Sequence, residues 1–217
     1  MRLVRFVKRT PSALLLVVQL AGVLLYPFME DTAAGRAAFA TFGILVLVLA
    51  VIAIRVTPFL SWVSILIGAP AVVLLGIQVF TAQEQLFPWS SGLEAVLYFY
   101  AAMSMLAYML EDTHVHTDEL FALGAVFTLL AWAFAYVFVV VQALQPGSFG
   151  VGVSGTRSWM ELLFLSFTTL SSTGLSDITP SSGHARSVVM IEQVAGVFYI
   201  AMVVTRLISL KATRARA

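Results

Sequence analysis

The chain has 217 residues and a formal net charge of +1; 60% of it is hydrophobic, 11% is charged, and the mean hydropathy is +0.98. A soluble domain carries about 25% charged residues, so the composition excludes an ordinary soluble protein and indicates a membrane protein. The near-neutral charge leaves no nucleic-acid footprint, and the lack of cysteine excludes disulfides and cysteine-ligated metal centres.

A membrane-spanning helix needs about 20 mostly apolar residues. The chain opens on a basic head, Arg2, Arg5, Lys8 and Arg9, followed by an apolar run over 11–28. This resembles a signal peptide, but no small-residue cleavage site follows, so it is read as a retained first span. Further spans are predicted over 38–54, 58–80, 93–110, 120–144 and 187–210. A shorter apolar piece, 159–170, is too short to cross and is read as re-entrant. The expected fold is therefore all-α and integral to the membrane, with six transmembrane helices plus one re-entrant helix and its loop. Two regions are expected: a four-helix N-terminal membrane domain with its linker over 1–118, and the loop-bearing domain over 119–217.

Lysine and arginine set the orientation. With six spans and the N-terminus inside, one side receives Arg2, Arg5, Lys8, Arg9, Arg55, Lys211, Arg214 and Arg216, and Arg206 snorkels towards it. The other side receives Arg36, Arg157 and Arg186. This bias places both termini in the cytoplasm, and the plasma membrane is the expected location. The linker at 111–119, Glu-Asp-Thr-His-Val-His-Thr-Asp-Glu, falls on the inner side, where acids weigh little.

The re-entrant piece starts with Ser158-Trp159-Met160-Glu161, a capping-box pattern. Beyond it stands Ser171-Ser-Thr-Gly-Leu-Ser-Asp-Ile-Thr-Pro180, a polar run between apolar segments. Irregular backbone at this depth cannot face lipid and must be buried in protein or line a watery path. A short helix aiming its C-terminal pole into the membrane adds partial negative charge. Carbonyls, hydroxyls and water then suit a cation that sheds its hydration shell. The polar run is read as the lining of an ion path.

The stretch from Phe167 to Pro180 resembles the pore loop of the potassium channel superfamily, whose pattern is T-x-T-T-V-G-Y-G-D-x-x-P. The likeness covers about 159–210, and the six-span layout is similar to the subunits of tetrameric six-helix channels. It implies a homotetramer among membrane lipids, passively conducting potassium or sodium, with no cofactor, no catalysis and no small-molecule substrate. Carried over by position, it implies a filter of Ser172, Thr173, Gly174, Leu175 and Ser176, with Asp177 at the outer mouth. Leu175 replaces the family's tyrosine and Ser176 its second glycine, which leaves potassium preference and a less selective monovalent cation pore both open. The Trk/Ktr potassium transporters are similar in using loops with one glycine each.

The resemblance further implies pore support from Glu161, Thr168, Thr169 and Glu192, a hinge at Gly196, and a cavity lined by Val197, Ile200 and Val204. Glu192, an acid inside the last span, is expected to hydrogen-bond to Thr168 or Thr169 behind the filter, or to snorkel. Gly196 equally suits close helix packing. Voltage sensors carry several arginines; 92–110 carries none, so arginine-driven gating is not expected. The chain stops soon after the last span, so no regulatory ring or cyclic-nucleotide domain is expected there. His114 and His116 are candidates for pH or metal sensing, beside the plainer reading of a solvated linker. Glu94 is read as interfacial, His184 as a surface turn residue, and Phe87 and Trp89 as an aromatic belt.

Two other function classes compete. An intramembrane hydrolase using Ser172 or Ser176 needs a base within reach, and the three histidines all lie in predicted loops. A secondary transporter, such as a cation carrier, wants broken helices in paired halves, and only one re-entrant loop is evident.

Overall fold

The structure is a computed structural model that describes residues 10–29, 33–54, 61–81, 86–111, 117–150 and 156–214. His114, His116, Asp112 and the glycine-rich 151–155 lie outside these residues. The described residues are all-helical: α1 (Pro11–Leu25), α2 (Ala33–Ile54), α3 (Ser61–Thr81), α4 (Phe87–Glu111), α5 (Thr117–Leu144), α6 (Trp159–Leu170) and α7 (Gly183–Arg214). A 3-10 turn, Tyr26–Phe28, closes α1 at the point where Pro27 enters.

Among the described residues four helices are long and apolar enough to cross a membrane: Pro11–Phe28, Phe87–Leu110, Asp118–Leu144 and Gly183–Ile208. This is two fewer than the six spans expected. Helices α2 and α3 run 22 and 21 residues, and among the described residues their apolar stretches are Thr41–Ile52 and Trp62–Ile77.

Helix α5 is the hub: 78% of its apolar window is buried inside the chain, against 22% for α7. It packs against α1, α4, α6 and α7. Lipid is as apolar as leucine, so helices associate in it through small residues and interhelical hydrogen bonds more than through hydrophobic burial. Ala125, Ala131, Ala133 and Ala135 on α5 and Ala95, Ala101 and Ala102 on α4 are buried and let the backbones approach. Aromatic contacts fill the wider gaps. Trp159, at the start of α6, meets Tyr26, Trp132 and Tyr136 at ring-centroid distances of 5.5, 5.1 and 5.7 Å.

Two acids of the linker region have structural partners. Asp118 accepts from the Ser12 backbone N–H at 3.1 Å and from its hydroxyl at 2.8 Å, closing the first turn of α1. Glu119 pairs with Arg206 of α7 at 3.0 Å. Arg206, expected to snorkel, is thus tied to the start of α5.

Glu94 departs from expectation. It is only 1% exposed, on the face of α4 that packs against α5, rather than interfacial. A lone acid in an apolar helix does not reveal which way it faces, and here the face is shared with Ser91 and Tyr98, both fully buried. Trp89 is largely exposed and Phe87 partly so.

Candidate functional site

The site is built on α6, whose bounds coincide with the predicted 159–170. The capping box forms: the Ser158 N–H donates to Glu161 Oε2 at 2.7 Å, and the Glu161 N–H donates to the Ser158 hydroxyl at 3.3 Å. Arg157 adds an ion pair to Glu161 at 2.7 Å and donates its Nε–H to the Phe149 carbonyl at 3.0 Å. Burial pushes the Glu161 carboxyl up, but the hydrogen bonds from Ser158 and the Arg157 guanidinium outweigh it and hold it below the usual carboxylate range. The Gln142 side chain, near the end of α5, exchanges two bonds with the Arg157 backbone, at 2.7 and 3.1 Å. The entry of α6 is therefore pinned to α5.

The far end of α6 runs into the loop through a Schellman-type cap. The Ser172 N–H donates to the Thr169 carbonyl and the Thr173 N–H to the Thr168 carbonyl, each at 3.0 Å. This motif needs a left-handed residue at its turn, usually glycine; here Ser172 takes it, with φ +59°. Gly174 is also left-handed, at φ +63°, and its N–H returns to the Thr168 carbonyl at 3.1 Å. The Ser171 hydroxyl donates to the Phe167 carbonyl at 2.6 Å and lies 3.0 Å from the Thr173 hydroxyl. The negative pole of α6 is thus spent on fixing the loop, whose amide hydrogens turn back onto the helix.

The rest of the loop faces outward. Residues 172–175 and Asp177 are exposed, Leu175 by 77%. Among the described residues no protein donor reaches the carbonyls of 172–176. The Ser176 hydroxyl accepts from the Ile178 N–H at 3.1 Å, and Ile178 is buried, so the loop is re-anchored after Asp177. Beyond it, Ser181 and Ser182 bind the turn at 145–150: the Ser181 N–H reaches the Ser148 carbonyl at 2.8 Å, and the two hydroxyls of Ser182 and Ser148 lie 2.9 Å apart. The Ser182 hydroxyl also caps α7, accepting from the Ala185 N–H at 3.2 Å.

Behind the loop, α6 lies against α7 at two consecutive turns. The Ser166 hydroxyl bonds to Glu192 and, at 2.8 Å, to the Ala131 carbonyl of α5. Glu192 was expected to reach Thr168 or Thr169; the structure gives it Ser166 instead. The reason is geometric: Thr168 turns its hydroxyl onto the Leu165 carbonyl at 2.9 Å, and both threonine carbonyls cap the loop. One turn further along both helices, Gly196 meets Leu170. A Cβ on Gly196 would lie 2.0 Å from the Leu170 carbonyl oxygen. Gly196 is therefore a close-packing residue in this structure. Tyr199 completes the contact by donating its hydroxyl to the Leu123 carbonyl of α5. Val197, Ile200 and Val204 are exposed, turned away from the rest of the chain.

The sequence did not single out Ser166, nor the capping role of Ser171, nor the roles of Gln142 and Arg157. Ser166 and Ser171 carried a signal, as hydroxyls inside or just after an apolar helix. Gln142, the only amide in the second half of α5, carried another. Among the described residues no group of three or more His, Asp or Glu side chains is arranged to hold a metal ion.

Residues 117–211 match the profile of a family described as ion channel. The match supports an ion channel pore domain in this part of the chain. It spans α5, α6, the loop and α7, the elements that build the site. Together with the apolar helices it supports an integral membrane protein. No curated protein and no solved structure matches the chain.

Proposed function

We propose that the chain is one subunit of a homotetrameric channel that conducts monovalent cations passively, potassium foremost, through the loop 172–176. The observation that carries this reading is a polar loop, capped on α6, whose carbonyls meet no protein donor among the described residues, inside a segment that matches ion channels. One such loop cannot enclose a path by itself, and irregular backbone is tolerated at membrane depth only beside protein or water. Four copies around an axis satisfy that requirement, with the carbonyls replacing an ion's hydration shell. Asp177, exposed at the far end of the loop, then forms a ring of acids at the outer mouth, and Val197, Ile200 and Val204 line the cavity beneath. Both termini lie in the cytoplasm and the assembly sits in the plasma membrane.

A second reading, a pore that passes sodium and potassium alike, is favoured by one observation. Leu175 stands exposed with no polar group to brace it, and Ser172 occupies a strained left-handed position. Ion flux into liposomes holding the purified protein, with potassium and sodium gradients applied separately, decides between the two. Potassium flux well above sodium flux supports the selective filter; equal fluxes support the second reading. Absence of flux for both ions contradicts the channel.

A further inference from the structure

The Ser166 hydroxyl has two partners and one hydrogen. Its oxygen lies 2.8 Å from the Ala131 carbonyl oxygen and in hydrogen-bond contact with Glu192 Oε1. A backbone carbonyl only accepts, and an ionised carboxylate only accepts. If Ser166 donates to Ala131, the second hydrogen must come from Glu192. If Ser166 donates to Glu192, two acceptor oxygens face each other at 2.8 Å. Both contacts are hydrogen bonds at once only when Glu192 is a carboxylic acid.

The surroundings agree. Glu192 is fully buried, and its other oxygen has no hydrogen-bond partner among the described residues. A bare carboxylate so placed would be an unpaired charge at membrane depth, which is costly. Its hydrogen-bond partner is Ser166 of α6, which is held in turn on the Ala131 carbonyl of α5, and neither group titrates. The charged pair of α6, Arg157 and Glu161, is engaged with itself at the other end of that helix. On α7, Tyr199 gives its hydroxyl to Leu123 and Arg206 is paired with Glu119.

Resting on the channel reading, we propose that Glu192 is a proton-binding positioning residue: its acid hydrogen clamps the pore helix to α7 and so holds the conducting loop. The clamp joins three helices in line, α7 to α6 to α5. It sits one helical turn from the Gly196–Leu170 contact on both helices, four residues apart on each. The next residues of α6, Phe167, Thr168 and Thr169, supply the carbonyls that fix the loop. Removing the proton leaves Ser166 with one bond too few and places charge behind the loop. The clamp is complete while the acid keeps its proton and fails on the alkaline side.

The test uses the full chain in liposomes, with flux followed as pH is raised on both faces, and infrared spectra taken from the same samples. Wild type is expected to lose flux at alkaline pH by about tenfold, the ratio one buried hydrogen bond controls. Glu192→Gln is expected to conduct without that alkaline limb, because its amide donates to Ser166 at every pH. Glu192→Asp, too short to reach, is not rescued. The carbonyl stretch of a protonated buried acid should appear in wild type and be absent from Glu192→Gln. The same alkaline limb in wild type and Glu192→Gln overturns the proposal, and so does a wild type lacking the infrared band. If no variant conducts while the band behaves as expected, the proton site stands and the channel reading, with the positioning role, is overturned.

Discussion

Gly196→Ala separates two roles for this glycine by the sign of one number. If the residue served only as a hinge, alanine would stabilise the helix, since alanine is favoured over glycine in a helix interior by about 0.8–1.0 kcal/mol. The structure predicts the opposite. The new Cβ would lie 2.0 Å from the Leu170 carbonyl oxygen, 2.8 Å from its carbon and 3.0 Å from its Cα. Real Cβ contacts essentially never fall below 3.0 Å, so α6 and α7 must part by at least 3.0 − 2.0 = 1.0 Å. The obstacle is backbone, which cannot rotate away as a side chain can. Overpacking of this kind costs about 1–3 kcal/mol and sometimes more, enough to outweigh the propensity gain. The parting also pulls on Leu170, immediately before the cap that fixes the loop. The variant is expected to melt at lower temperature in detergent and to lose potassium-over-sodium discrimination in liposome flux. An unchanged or higher melting temperature with unaltered flux would refute the packing argument and return Gly196 to a hinge.

Other outcomes are expected from the same geometry. Ser172→Gly relieves the left-handed serine and should raise thermal stability by about 1 kcal/mol, measured by melting; a loss would show that the hydroxyl contributes more than the backbone strain costs. Ser158→Ala removes the helix cap and should cost about 1 kcal/mol, read from the same melts. Glu161 is held ionised below its ordinary range, so its contribution is present above the unfolded carboxyl range and lost as pH falls through the folded value. Melting temperature should therefore fall more steeply on acidification in wild type than in Glu161→Gln. Glu119→Arg and Arg206→Glu should each destabilise the chain, and the charge-swapped double variant should recover about 0.5–3 kcal/mol of coupling; additive losses would mean the ion pair contributes nothing.

Much of the site was legible because its signals are local. The capping box and the polar run bracket a twelve-residue apolar piece, and the helix observed, Trp159–Leu170, occupies the stretch they bracket. The loop that follows, exposed over 172–175, is the polar run that stood out between apolar segments. What escaped is what depends on facing between helices. Glu192 was singled out for its position, but its partner was misplaced by two or three residues, because a sequence does not say which hydroxyl of α6 turns towards α7. Glu94 reads as interfacial by its place near a helix end, and only packing shows it turned inward. Gly196 has two plausible uses in a membrane helix, and the distance to Leu170 distinguishes them. The six-span count rested on hydropathy runs, and among the described residues four of these are helices long and apolar enough to cross.

The central claim, that ions pass along the loop 172–176, can be tested directly because the chain contains no cysteine. Leu175→Cys places a single thiol at a loop position that is 77% exposed. Flux in liposomes is followed before and after a membrane-impermeant, positively charged thiol reagent is added from the outer side. The account predicts that modification abolishes cation flux, that added potassium slows the modification, and that wild type is unaffected. Complete modification with undiminished flux would contradict it.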